Sequence, residues 1–398
     1  MAAVILDESL SWEDLLPLTY ARHVAEIRCG GGTNVERWKA LGVTSVVLAG
    51  SSPFHPIPLI PQALKQYVRV DAALLANREI TEKVLNLRSG EALRHEGIVW
   101  ALRTEEPLTL ADACHASLRF IEEPPPCGIR LTHPIDVFLH NGEMLQHDFA
   151  LLQSTRNVTD ELPRDVMIRG KHGIWAAGSY RIGAGAVLNT DEGPIILMSH
   201  AHVMEGAMLR GPIWLGEHSL IKMGAKIYGP TTIGPYCKVG GEISRSVFQG
   251  YANKAHDGFL GDSVIGEWCN LGADTNNSNL SNNYAPVKVW SYRAGRFIQT
   301  PHQFVGLILG DHSKSAINTM FNTATVVGFS SNVFGAGFPR KFIPSFSWGG
   351  GQGYRTYLLD KAMETAERVM ARRNRPFTES DRIRFQHIFQ YSARYRND

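Results

Sequence analysis

In the middle of the chain an aliphatic residue recurs at every sixth position. Leu197, Val203, Leu209, Leu215, Ile221, Ile227, Ile233 and Val239 form an unbroken series. The residue two places before each later member is restricted as well: Ala201, Ala207, Ile213, Ser219, Ala225, Thr231 and Cys237, mostly small. One aliphatic and one small residue per hexad predicts a parallel β-helix. The aliphatic side chain points into a narrow prism, and the small one fits near a corner. The phase breaks after Val239 and resumes at Val247, from which Phe259, Ile265 and Leu271 keep multiples of six, with Cys269 in the small slot. It returns at Phe321, Val327 and Val333, with Thr325, Ser331 and Gly337 in that slot, and upstream Ile182 and Leu188 also sit six apart. The repeat covers roughly 166–345. A polar, Asn-rich insertion interrupts it between Asn276 and Gln303, and long loops leaving a regular scaffold tend to carry function.

The flanks have a different texture. Val4-Ile5-Leu6 and Ser45 to Ala49 read as buried parallel strands, and Asn34 to Leu41 as a helix between them, capped by Thr33 or Asn34. That alternation predicts a small α/β domain over 1–165. Pro124 to Pro126 is a stiff break inside it, and Leu151 to Arg169 reads as its linker to the β-helix, 166–353. The tail, 354–398, contains no glycine. Tyr357 to Asn374 reads as an amphipathic helix with Leu358, Ala362, Ala366 and Val369 on one face, ending in Arg372-Arg373. Thr378 and Asp381 form a cap for a second helix ending near Tyr395.

Composition narrows the function classes. Lys+Arg 40 against Asp+Glu 38 leaves +2, so no basic surplus points to nucleic acid. No apolar run is long enough to span a bilayer, and the first residues lack the pattern of a secretory signal. The five cysteines (Cys29, Cys114, Cys127, Cys237 and Cys269) are scattered, without a Cys-x-x-Cys pair. They read as reduced thiols of a cytoplasmic protein. Of 38 glycines, 29 lie between Val166 and Gly353, as a chain that bends repeatedly requires. His200 and His202 read as exposed residues of one coil. The histidine spacing of the hexapeptide-repeat carbonic anhydrases is missing, so no metal site is expected.

The strongest constellation runs from Asn253 to Thr275. Lys254, His256, Gly261-Asp262, Gly266, Asn270, Gly272-Ala273-Asp274 and Thr275 fall in a spacing that breaks the hexad rhythm. It resembles the acetyltransferase site of the bifunctional sugar-1-phosphate uridylyltransferase/acetyltransferase family (N-acetylglucosamine-1-phosphate uridyltransferase-like). The resemblance covers about 166–345. It implies a left-handed β-helix, a homotrimer, and acetyl-CoA bound between neighbouring prisms. It implies that His256 is the general base, a role suited to an imidazole titrating near neutrality. It assigns Asn270, and more loosely Asn279, to the substrate, and Arg245 and Lys288 to its phosphate. Ala273 falls where main chain approaches the acetyl group, and backbone N–H groups there would stabilise an oxyanion. Phe259 stands where the family has Tyr, losing a substrate hydrogen bond. Asp274 replaces a Gly and places a carboxylate beside the thioester.

Val4-Ile5-Leu6 followed by Leu16-Pro17-Leu18-Thr19-Tyr20-Ala21-Arg22 resembles the opening of sugar nucleotidyltransferases, in a divergent, shortened form. Asp7 to Asp14 replaces the Gly-rich loop and adds acidic charge where phosphates should bind. Gly30-Gly31-Gly32-Thr33 before a helix reads as a plain turn, with phosphate binding as the alternative. The expectation is an α/β domain, a β-helix and helices, acting as an acyl-CoA-dependent transferase on a sugar phosphate or nucleotide sugar. Two alternatives stay open. One is a sugar-1-phosphate nucleotidyltransferase using Mg2+, with the β-helix as a trimer scaffold. The other is a non-catalytic sugar-nucleotide binding protein.

Overall fold

The computed structural model describes residues 3–50, 52–54, 67–105, 108–113, 116–123, 128–152 and 155–396. Cys114, Cys127 and the Pro124–Pro126 break lie outside the described residues. The chain divides into two compact units. One comprises Met1–Leu15, Ala21–Ile27 and Gly32–His133; the other comprises Leu16–Tyr20, Arg28–Gly31 and Pro134–Asp398. The fold class expected from the sequence is the one observed: an α/β unit, a parallel β-helix and a helical tail.

The first unit holds a six-stranded mixed sheet. Its strands are β1 (Ala3–Asp7), β2 (Val46–Ala49), β3 (Tyr67–Asp71), β4 (Glu91–His95), β5 (Ile98–Arg103) and β6 (Arg119–Glu122), in the order β2-β1-β3-β5-β4-β6. β1 pairs in parallel with both β2 and β3. Val4, Ile5 and Leu6 are fully buried, as strands covered on both faces require. Helix Asn34–Ala40 is capped by Thr33, whose hydroxyl accepts from the Glu36 N–H while Glu36 reaches back to the Thr33 N–H.

With β1 between β2 and β3, the crossovers diverge at the carboxyl end of β1, where open α/β sheets bind ligands. Asp7 and Asp71 end β1 and β3 there. The sequence placed acidic charge here, and the structure sets two arginines against it. Arg69 Nη1 lies 2.7 Å from Asp7 Oδ2, and Arg130 Nε lies 2.6 Å from Asp71 Oδ2. Both arginines come from distant parts of the chain, so the local run of acids could not reveal them.

Beside them Glu8 is completely buried. Its Oε2 accepts the Val24 N–H at 2.9 Å, and His23 Nε2 lies 2.9 Å from the Ala49 carbonyl and 3.6 Å from Glu8 Oε2. Burial pushes the Glu8 carboxyl up to about 8 and pulls the His23 imidazole down. The two therefore meet as a neutral pair near pH 7, not as a salt bridge.

In the second unit a β-helix stacks strands on three faces. The first face runs from Tyr180–Ile182 to Gly353–Thr356, the second from Met167–Gly170 to Phe259–Gly261, and the third from Arg156–Asn157 to Phe342–Ile343. The hexad aliphatics from Leu197 to Val239 all lie in its core. After Val239 the frame slips. Phe248 and Leu260 join the core, whereas Phe259 lies on the outer surface and Val247, though buried, is outside the core cluster. The cause is coil length. Ile213 pairs with Thr231, 18 positions on, but Thr232 pairs with Val247, only 15 on. A fixed period of six cannot follow that shortening.

Corners do not depend on glycine alone. His200, His218, Tyr236, Tyr251 and Trp268 all adopt positive φ at one corner, and their rings stack with successive centroids 4.2–4.9 Å apart. Ring stacking offsets part of the cost of the left-handed backbone.

Part of the third face is covered by the unit's own chain. Gln249 bonds the backbone of Arg28 in both directions, and Thr232 Oγ donates to the Gly30 carbonyl. A Cβ at Gly31 would lie 2.3 Å from the Trp214 ring. The Gly30–Gly31 pair therefore serves close packing and makes no phosphate loop. The insertion carries a hairpin, Lys288–Ser291 with Arg296–Gln299, whose Trp290 stacks on Phe342 at 3.9 Å.

The tail helices span Leu359–Ala371 and Glu379–Ser392. The second is capped by Thr378 and Asp381 as expected. The first buries Ala362, Met363, Ala366 and Met370 instead of a stripe through Leu358, which is 66% exposed. The helix starts after Leu358, and this moves the stripe. Among the described residues no helix is long and apolar enough to cross a membrane.

A group whose pKa rises on folding contributes stability below its unfolded value and loses it as pH rises through the folded value. Wild type should therefore lose stability relative to Glu8→Gln between about pH 4.5 and about pH 8. Paired melting curves check this; a constant Tm difference across that window would contradict the buried neutral carboxyl.

Candidate functional site

The motif singled out in the sequence sits where the coils are irregular. Thr232, Val247, Val264 and Ile308 are successive partners on the third face, so a short coil and a slightly short coil precede the one that carries the insertion. His256 lies in the turn between the strands Asn253–Lys254 and Phe259–Gly261.

Lys254 occupies the inward position that Val239 fills one coil earlier. Its side chain is fully buried, and Nζ donates to the main-chain carbonyls of His256 at 2.9 Å and Asp257 at 3.1 Å. Burial pulls the Lys254 ammonium down to about 8, while Asp257 and Asp274 draw it back up. The turn is fixed from the next coil too. The Asp274 N–H donates to the Asp257 carbonyl at 3.1 Å, and Asn276 Oδ1 accepts the Phe259 N–H at 2.7 Å. Gly258 has φ +111°, and a Cβ there would lie 2.3 Å from the Thr275 carbonyl oxygen. No other residue fits without moving that coil. The backbone of the turn is thus held while the His256 side chain is exposed.

Asn270, Ala273 and Asp274 lie on the following coil. Asn253 Nδ2 donates to Asn270 Oδ1 at 2.7 Å, joining the two on the first face. Ala273 accepts the Asn318 N–H through its carbonyl at 2.8 Å. Asp274 is exposed and has φ +53°. The position demands a left-handed backbone, which Gly supplies freely and Asp tolerates better than most residues.

Arg245 and Asn279 converge instead on Asp262, at the next corner. Arg245 Nη2 lies 2.8 and 2.9 Å from the two Asp262 oxygens, and Asn279 Nδ2 donates to Oδ2 at 2.6 Å. Asp262 is buried; burial pushes its pKa up while Arg245 and Asn279 hold it down. The Arg245 charge is thus matched by a carboxylate. Phe259 lies on the face between the two corners, with its ring edge against Gly261. Lys288 is exposed on the insertion hairpin, opposite Gln299. The structure therefore gathers His256, Asn270, Ala273 and Asp274 near one corner. It places Arg245 and Asn279 at another and Lys288 on the insertion.

Lys254 and Asp262 stand in the motif read from the sequence, but their roles as buried partners were not read there. Lys254 had a signal: a lysine six positions after Phe248 and six before Leu260, in the inward frame. The slip in coil length hid it. Among the described residues no group of three or more His, Cys, Asp or Glu side chains could hold a metal ion.

Residues 4–157 match a family described as sugar nucleotidyl transferase. The chain is also 33% identical over 87 residues to the bifunctional protein GlmU of Methanocaldococcus jannaschii. That stretch is 22% of this chain, and the chain spans about a fifth (21%) of the relative's length. Together these bear out the family resemblance read from the sequence. Among solved structures, the polySia-specific acetyltransferase NeuO shares 12% identity at a TM-score of 0.28, over 51% of this chain and 97% of that one. The UDP-N-acetylglucosamine acyltransferase of Campylobacter jejuni shares 14% at 0.23, over 57% and 96%. The corresponding Arabidopsis enzyme shares 17% at 0.17, over 55% and 76%.

A lysine whose pKa is lowered on folding opposes folding most while it is charged, and this penalty fades as pH rises from about 8 towards the unfolded value. Wild type should therefore gain stability relative to Lys254→Met between about pH 8 and about pH 10.5. Thermal melts of both proteins across that range test this; a widening deficit of wild type would contradict a charged ammonium inside the prism.

Proposed function

We propose that the protein transfers an acyl group from acetyl-CoA to an amino or hydroxyl group of a sugar phosphate or nucleotide sugar, with His256 as general base. The observation that carries this reading is an exposed imidazole on a turn whose backbone is held by a buried lysine and by the next coil. A general base must be both reachable and positioned. The His256 imidazole takes the proton of the acceptor as its nitrogen or oxygen attacks the thioester carbonyl. The tetrahedral oxyanion collapses, the C–S bond breaks, and coenzyme A leaves with a proton returned by the imidazolium. The Ala273 N–H stabilises the oxyanion. Asn270, held by Asn253, orients the acceptor. In this reading a homotrimer supplies the second wall of the acyl-donor groove, and the enzyme works in the cytoplasm. Arg245 and Asn279 support the neighbouring corner through Asp262. Lys288, exposed on the insertion hairpin, is the cation for the acceptor's phosphate.

The family match over residues 4–157 favours a second activity, nucleotidyl transfer to a sugar 1-phosphate. The Asp7 and Asp71 carboxylates are engaged by Arg69 and Arg130, so the described residues do not offer Mg2+ an open carboxylate pair.

The protein should release free thiol from acetyl-CoA when given a panel of amino-sugar phosphates and nucleotide sugars. His256→Ala should lower the rate by about 10²- to 10⁴-fold, the usual contribution of a general base. Unchanged thiol release in that variant would refute the assignment. Pyrophosphate release from a nucleoside triphosphate and a sugar 1-phosphate tests the second activity separately.

A further inference from the structure

The turn that joins the two tail helices carries three arginines in four positions, Arg372, Arg373 and Arg375. Arg375 fixes this turn to the β-helix. Its Nη2 and Nε donate to the Tyr251 hydroxyl at 2.8 and 3.2 Å, and its guanidinium carbon lies 5.7 Å from the centroid of that ring. Tyr251 in turn stacks on Tyr236 at 4.9 Å. Two residues beyond Tyr236, Lys238 stands on the outer side of the first face, paired with Leu220 one coil earlier and Asn253 one coil later. Lys222 adjoins that coil: a Cβ at Gly240 would lie 3.1 Å from the Lys222 Cβ.

Lys222, Lys238, Arg372 and Arg373 therefore gather between the first face and the helix turn. Partial burial pulls the Lys238 ammonium down, and the charges of Arg373, Lys222 and Arg372 pull it the same way. Among the described residues none of the four cations makes an ion pair or a side-chain hydrogen bond. Lys238 and Arg372 are exposed, and Lys222 and Arg373 are half-buried.

Elsewhere the tail compensates its charges. Glu364 pairs with Lys361 and Arg368, Glu367 with Arg382, and Asp381 with Arg384. In a chain with 40 basic and 38 acidic side chains, four cations brought together from three parts of the sequence without an acid are unexpected. Their mutual repulsion opposes folding, and a bound anion would offset it. One phosphate group carries at most about two negative charges near neutral pH, so a diphosphate matches four cations better. Guanidinium forks and ammonium groups both suit its oxygens. Along the prism, Lys222 and Lys238 lie on coils before the His256 turn, whereas Ala273 lies on the coil after it.

We infer that Lys222, Lys238, Arg372 and Arg373 form a diphosphate-binding site, for inorganic pyrophosphate or the diphosphate of a nucleotide. It does not depend on the acyl-transfer reading, and its test needs no turnover.

Isothermal titration of the whole protein with inorganic pyrophosphate, at neutral pH and constant ionic strength without divalent metal, should show saturable binding. Orthophosphate should bind about 10-fold or more weakly than pyrophosphate, since it meets fewer of the cations. ADP serves as the nucleotide arm and separates the two sources: tighter ADP marks a nucleotide, and tighter pyrophosphate the free ion. The double variant Lys238→Gln/Arg373→Gln should weaken pyrophosphate binding by about 10-fold or more, in line with the loss of charge-assisted hydrogen bonds. Arg169→Gln/Arg210→Gln removes two exposed arginines from the second face and should leave the affinity unchanged. Circular dichroism of each variant verifies that it is folded. Melting curves give a complementary readout: pyrophosphate should raise the Tm of wild type with increasing concentration and leave that of Lys238→Gln/Arg373→Gln in place. Absence of saturable binding, pyrophosphate no tighter than orthophosphate, or equal weakening in both double variants would overturn the assignment.

Discussion

The interior of a three-sided prism admits little more than one side chain per face per coil, and most features of this chain follow from that limit. The aliphatic residue at every sixth position fills the space. The small residue two places earlier keeps the corner clear. Each coil stacks on the last through parallel hydrogen bonds, so any residue that enters the interior is fixed by the coils above and below. Burial of the column from Leu197 to Val239 provides the hydrophobic driving force.

The candidate site arises where that limit is handled differently. A shortened coil moves the inward frame and brings Lys254 into a place otherwise held by an aliphatic residue. A lysine there is costly unless its ammonium is satisfied. It is satisfied by the carbonyls of the turn that carries His256. The same contact therefore resolves a packing problem and fixes the backbone of the turn. Lys314, whose Nζ donates to the His312 carbonyl at 2.7 Å and whose pKa is likewise pulled down to about 8, is a different case: it pairs with Asn270 on the outer side of the first face, and Ser315 takes the inward place beside Leu271.

Much of the architecture was legible in the sequence because it is periodic. The hexads, the Thr378–Asp381 cap and the parallel strands at Val4–Leu6 and Val46–Ala49 follow from local spacing. What the sequence hid depends on pairing between distant positions. Arg69 and Arg130 change the meaning of Asp7 and Asp71, and Asp262 binds both Arg245 and Asn279. The dense packing of Gly31 on Trp214 could not be read from a run of glycines. The break in phase after Val239 was visible, but that Phe248 and Leu260 turn inward in place of Val247 and Phe259 follows from the shortened coil, which is a matter of strand pairing. Asp274 is the opposite case: its departure from Gly was visible, but the reason is its positive φ, a backbone fact.

The central claim is that the His256 imidazole is the group presented to the acyl donor. Histidine-selective NMR during titration with acetyl-CoA tests it most directly, with His256→Gln used to assign the signal among the chain's 15 histidines. The account predicts that the His256 resonance shifts saturably while those of the stacked His200 and His218 stay in place. A His256 signal that does not move at saturating acetyl-CoA would contradict it.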